Sequence, residues 1–102
     1  LEHLFQKMVS KYAWLDADFI NRLLDSYGTL SFDVLGEASG MSDLGVNFGH
    51  NLYQREVDYL CMEEWAKSAD DILWRRSKLG LKFSRAECDS LANYIEQFFR
   101  TN

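Results

Sequence analysis

Apolar residues recur along this chain three and four positions apart, the spacing that places them on one face of an α-helix. Leu4, Phe5, Met8, Val9 and Tyr12 predict a first helix over residues 2–12. Asp16 then stands as the cap of a second helix with the stripe Phe19, Ile20, Leu23, Leu24 and Tyr27. Leu15 and Ile20 form a hydrophobic staple across that cap, and Gly28 is the stop. Ser31 opens a short third helix, with Leu30 and Leu35 as its staple and Val34 and Ala38 alongside, expected to end near Gly40. A fourth helix is predicted over residues 52–64, with Tyr53, Val57, Leu60, Cys61 and Glu64 on one face and Tyr59 and Met62 off it.

The segment that follows is the most sharply bounded. Ser68 and Asp71 make an S-x-x-D capping pattern, and Gly80 offers a left-handed stop after Leu79. At 100° per residue Ala69, Ile72, Leu73 and Leu79 share a face, with Arg76 in its middle and Trp74 almost opposite. An arginine inside the stripe and a tryptophan outside it suggest that this helix meets more than its own core. Ser84 and Glu87 form a second capping box. It opens a last helix over residues 85–100, striped by Cys88, Leu91, Ala92, Ile95, Phe98 and Phe99. No alternation of period two competes with these readings. The expected fold is all-α, a compact bundle of five to six short helices, and the 102 residues form one domain.

Composition agrees with the pattern. Hydrophobic residues make up 47% and aromatics 15%, enough to fold around a core, and proline, which breaks helix interiors, does not occur. No apolar run reaches the roughly 20 residues of a membrane span and no signal-peptide pattern opens the chain, so a soluble polypeptide is expected. Cys61 and Cys88 fall on apolar faces of different helices and read as reduced core thiols rather than a disulfide. His3 and His50 stand alone, with no second ligand at a metal-binding spacing and no evident acid partner.

Charge is uneven. The net is −5, yet Arg75, Arg76, Lys78, Lys82 and Arg85 come within eleven residues with no acid among them, leaving the remainder at −10. An acidic domain thus carries one basic patch. A buried Arg76 needs an ion-pair partner, and Glu56 and Glu64 on the preceding helix are the candidates. Asp71 and Arg75 are placed for an i, i+4 pair. Trp74 is either covered within the domain or anchors an interdomain contact, a role that tryptophan and arginine often take.

Catalytic chemistry is not legible. The carboxylates are scattered and the serines mostly cap helices. Residues 36–49 hold four glycines, at 36, 40, 45 and 49, but lack the turn-into-helix and Lys-Ser or Lys-Thr of a phosphate loop. They read as a connector with one helical turn over residues 42–44. The dinucleotide fingerprint G-x-G-x-x-G is absent, and an EF-hand reading of residues 25–37 fails on its ligand positions.

The run E-W-A-x-S-x-D-D-I-L-W-R-R-S-K-L-G-L, residues 64–81, resembles the C-terminal helical domain of FAD-dependent, quinone-linked glycerol-3-phosphate dehydrogenases and the related alpha-glycerophosphate oxidases. Leu44-Gly45, Phe48-Gly49, Leu52-Tyr53, Glu56-Val57 and Tyr59-Leu60 resemble that family's preceding segment, and Ser26-Tyr27-Gly28-Thr29 its Y-G turn. Serine at 68 and 77 stands where the family more often has threonine. The resemblance implies a parent enzyme that oxidises glycerol 3-phosphate to dihydroxyacetone phosphate through FAD. It passes electrons to quinone and sits peripherally at the cytoplasmic membrane. This stretch is then a non-catalytic cap, binding no cofactor itself and docked on the flavin domain through Trp74, Arg75, Arg76 and Lys78, with residues 36–49 as a possible second surface. From charge alone, the basic patch could also steer a phosphate-bearing substrate or meet anionic lipid. A helix-turn-helix nucleic-acid module is the alternative, weakened by Glu87 and Asp89 at the start of its recognition helix. A free-standing interaction bundle is the third reading.

Overall fold

The structure is a computed structural model that describes residues 2–101, with the side chains of all of these except residues 2, 75, 76 and 101. Five α-helices, α1 (Glu2–Lys11), α2 (Ala17–Tyr27), α3 (Ser31–Leu35), α4 (Gln54–Glu63) and α5 (Arg85–Thr101), are joined by two 3₁₀ turns and a π-helix, Asp71–Arg76. No strand longer than a single bridge occurs among the described residues. The fold is all-α, and its contacts divide it into two units, one up to Gly45 and one from Val46.

In the first unit the predicted caps form. Asp16 Oδ1 accepts from the Phe19 N–H at 2.8 Å, and Gly28, at φ 57°, ends α2 by donating to the Leu24 carbonyl. Phe19, Ile20, Leu23, Leu24 and Tyr27 are all buried, as the stripe requires. The Tyr12 hydroxyl donates to the Gly36 carbonyl at 2.7 Å, tying the end of α1 to the end of α3 across 24 residues. The third helix is shorter than expected. Gly36, not Gly40, takes the left-handed turn (φ 56°), and its N–H closes on the Phe32 carbonyl at 2.8 Å. Leu30 is 40% exposed while Leu35 is buried. Ser31 starts α3 from inside the helix, its buried Oγ lacking a hydrogen-bond partner. The helical turn expected around Ser42 is present as Met41–Leu44, held by Asp43 Oδ2, which accepts from the Ser39 N–H and hydroxyl at 2.8 and 3.1 Å.

The second unit opens with a feature the pattern did not predict. Residues 46–54 form a small hairpin around the bridge Asn47↔Tyr53, with Phe48 N–H donating to the Leu52 carbonyl at 2.8 Å. His50 (φ 52°) and Asn51 (φ 66°) occupy its centre, and the Leu52 N–H donates to the Gly49 carbonyl at 2.9 Å. This is the geometry of a type I′ turn. It carries the chain into α4, whose Val57, Leu60 and Cys61 are buried.

The capping box of α5 forms reciprocally: Ser84 N–H donates to Glu87 Oε1 at 2.8 Å, and Glu87 N–H to Ser84 Oγ at 3.1 Å. The stripe of α5 is narrower than predicted, because Leu91 and Ile95 are buried while Ala92 is exposed and Phe99 is 42% exposed. The Tyr94 hydroxyl donates to Asp58, locking α5 to α4, and the Tyr94 ring lies 5.2 Å from that of Phe48, tilted by 52°.

Candidate functional site

The signature segment, residues 64–81, is built differently from a regular helix. Its start follows the sequence: Ser68 Oγ accepts from the Asp71 N–H at 3.2 Å, and Asp71 Oδ2 reaches back to the Lys67 N–H at 3.0 Å. From Asp71 the helix widens to i→i+5 bonding. Ser77 seals its end, directing both its N–H (2.9 Å) and its hydroxyl (2.8 Å) at the Ile72 carbonyl five residues back. The helix therefore ends at Arg76, not Leu79, and the left-handed residue after it is Lys78 (φ 60°), not Gly80. Ile72, Leu73 and Leu79 are buried as expected, Leu79 from outside the helix. A π-helix is rare and tends to mark functional positions, because the inserted residue re-aims the side chains after it.

Gly80 has a different use from the one its position in the sequence suggested. A Cβ there would lie 2.4–2.6 Å from Trp74 Cε2, Cζ2 and Cδ2, so the indole lies directly against the glycine. Trp74 nevertheless remains 54% exposed. One face of the ring is thus fixed on a bare backbone and the other offered outward. A fixed aromatic loses little conformational freedom on binding, which is what makes it a good anchor.

A second exposed tryptophan escaped the sequence reading. Trp65, just beyond α4, sits at φ 60° and is 74% exposed. Holding a bulky residue left-handed costs about 1–2 kcal/mol. Here the turn lets Ala66 N–H return to the Leu60 carbonyl at 3.1 Å. The only sequence signal for it was the absence of glycine where α4 must stop. Two non-glycine left-handed residues, Trp65 and Lys78, therefore bracket the segment, and Lys78 too is exposed. Backbone strain of this kind collects at functional surfaces.

Of the other expected site residues, Arg75 and Arg76 have side chains outside the described residues, so only the acidic side of each expected pair is placed. Glu56 is buried at 3% exposure, Glu64 is half-buried, and Asp71 serves the cap. The turn at Gly49 does not fit a dinucleotide phosphate. Gly49 is backed by the Glu87 carboxylate, which fills the space of a Cβ at 2.8 Å and would repel a pyrophosphate. Glu87 also supplies the acid that His50 had no evident claim to, at 3.6 Å. The Ser84 backbone N–H, foremost, holds the Glu87 carboxyl below its usual range.

The remaining titratable groups of the second unit describe a latch. Burial pushes the Asp58 carboxyl up, against the Tyr94 hydrogen bond and the Arg55 charge that lower it. Burial, then Asp58, pushes Tyr94 to about 12, so it stays a donor. Burial and then the Asp58 charge push the Cys61 thiol to about 11, far from a nucleophile's range. Among the described residues no three His, Cys, Asp or Glu side chains are grouped to hold a metal, and no helix is long and apolar enough to cross a membrane.

Comparison with known proteins gives this architecture a family. Residues 1–99 match the C-terminal domain of alpha-glycerophosphate oxidase. The chain is 46% identical over 96 residues to a glycerol-3-phosphate dehydrogenase of Pseudomonas aeruginosa, covering 94% of this chain and 19% of that protein. It is 34% identical over 88 residues to the aerobic glycerol-3-phosphate dehydrogenase of Escherichia coli, covering 86% and 18%. It is also 36% identical over 91 residues to the D-erythritol 1-phosphate dehydrogenase of Brucella abortus, covering 89% and 18%. The chain spans about a fifth of the length of these relatives.

Proposed function

The chain belongs to the family of the C-terminal domain of alpha-glycerophosphate oxidase, and from that premise we propose that it is the helical accessory domain of a glycerol-3-phosphate dehydrogenase. The parent oxidises sn-glycerol 3-phosphate to dihydroxyacetone phosphate. Two electrons and two protons of the secondary alcohol pass by way of FAD to quinone at the cytoplasmic face of the membrane. The domain adds no reacting group and no cofactor ligand. Its 102 residues form a cap on the flavin-binding part, and its contribution is a docking surface to which Trp74, Arg75, Arg76 and Lys78 are assigned.

The observation that carries this reading is the indole of Trp74, seated on Gly80 at 2.4–2.6 Å from a would-be Cβ and still 54% exposed. Such a ring, held in place and still accessible, is suited to anchoring a partner. Domain junctions of roughly 600–1,500 Å² rely on a few anchors of this type.

The test is a chimera in which the matching C-terminal stretch of the Pseudomonas aeruginosa relative is replaced by this chain. Retained flavin and retained dehydrogenation of glycerol 3-phosphate support the assignment. A chimera that folds but releases flavin and has no activity contradicts it.

A further inference from the structure

We propose that the groove between the start of the signature segment and the last turns of α5 is a second docking seat, taking an apolar side chain from the flavin-binding part of the same polypeptide. The inference rests on the domain assignment above. The groove has a volume of about 560 Å³, with Ala69 and Ala92 lining it, Phe99 as an aromatic wall, and Lys67 and Glu96 among the polar residues. That is room for an aromatic or branched aliphatic side chain with the backbone that carries it, within the range of ordinary binding clefts.

Three observations choose the occupant. Ala92, Glu96 and Phe99 lie at i, i+4 and i+7 on α5, beside the buried Leu91 and Ile95, so an outward stripe of this helix is left with an aromatic 42% exposed. Among the described residues, Lys67 and Glu96 are the only charged ones lining the groove, and Glu96 pairs with Arg100 at 2.9 Å, so no more than one net positive charge borders it. A phosphate or an anionic headgroup therefore finds no concentrated positive charge here, whereas a neutral apolar segment loses nothing. About four-fifths of the length of the relatives lies outside the stretch this chain matches, which supplies the segment to fill the groove.

The experiment uses the chimera described above, with Ala92→Arg to fill the groove. Ala92 is exposed and arginine is a good helix former, so the substitution leaves α5 intact. Asn93→Arg, equally exposed and outside the groove, is the control. The half-life of glycerol 3-phosphate dehydrogenation at a fixed elevated temperature is followed, together with the sedimentation coefficient. Expected is a loss of at least about tenfold in half-life for Ala92→Arg, with Asn93→Arg and Ala92→Ser unchanged. Equal half-lives for Ala92→Arg and the parent chimera overturn the seat, as does an equal loss in Asn93→Arg. A dimeric chimera that Ala92→Arg converts to monomer identifies a second copy as the occupant and overturns it too. An inactive parent chimera refutes the domain assignment itself, a result distinct from all of these.

Discussion

Replacing Gly80 with alanine isolates the seating of Trp74. Three indole atoms stand 2.4–2.6 Å from the new Cβ, against the roughly 3.5–4.0 Å of a comfortable carbon contact. The ring must therefore retreat by about 1–1.5 Å or swing away. Forcing a methyl into packed space costs about 1–3 kcal/mol, and because Trp74 is 54% exposed and can move outward, the low end, about 1 kcal/mol, applies. Gly80 is not among the left-handed glycines, so alanine is otherwise unstrained there and regains about 0.4–1 kcal/mol by restricting the unfolded chain. The net loss is small, under about 1 kcal/mol. The coupling is larger. With Trp74→Ala already in place, Gly80→Ala should stabilise, so the double-mutant cycle should return the clash itself, an interaction of about 1 kcal/mol. Urea unfolding of the four proteins, followed by circular dichroism, measures it. A coupling below about 0.3 kcal/mol would mean that the indole does not rest on Gly80.

Three further outcomes follow from the same structure. Trp65→Gly relieves a left-handed tryptophan and should raise unfolding stability by about 0.5–1 kcal/mol while weakening docking to the flavin-binding part, so thermal melting and binding should move in opposite directions. Tyr94→Phe strips Asp58 of its donor and should cost about 1–2 kcal/mol in urea unfolding. Because the folded pKa of Tyr94 is raised to about 12 from 10.0, its contribution is complete below pH 10 and fades as pH rises toward 12, a limb the phenylalanine variant should lack. Glu87→Gln should flatten the acid limb: the folded pKa of Glu87 is depressed, so its contribution is complete above its ordinary value of 4.5 and lost as pH falls through the depressed one. Stability profiles of the two proteins between pH 2 and 6 that superimpose would remove Glu87 from the cap.

What the sequence made legible was local. Asp16 over Phe19 and Ser84 with Glu87 are contacts of three residues' span, and they form as the capping pattern says. The buried pair Ile72 and Leu73 follows from helical spacing. The 100° wheel failed one turn later, since it assumes α geometry and residues 71–76 wind as a π-helix. That misplaced the stop at Gly80, which is a glycine for the sake of room rather than of φ. The hairpin over residues 46–54 has one bridge and no alternation to announce it. Glu87 meets His50 across 37 positions, a distance over which no local rule operates. Trp74 was singled out as a candidate anchor because it fell off the stripe. Trp65 was missed because no stripe reached it.

The most direct measurement is calorimetric titration of this chain into the Pseudomonas aeruginosa relative truncated of its matching C-terminal fifth. Expected is binding with a Kd of about 10 μM or tighter, weakened at least about tenfold by the double variant Trp74→Ala/Lys78→Glu. No heat of binding at about 100 μM, with both proteins folded, would contradict the docking role.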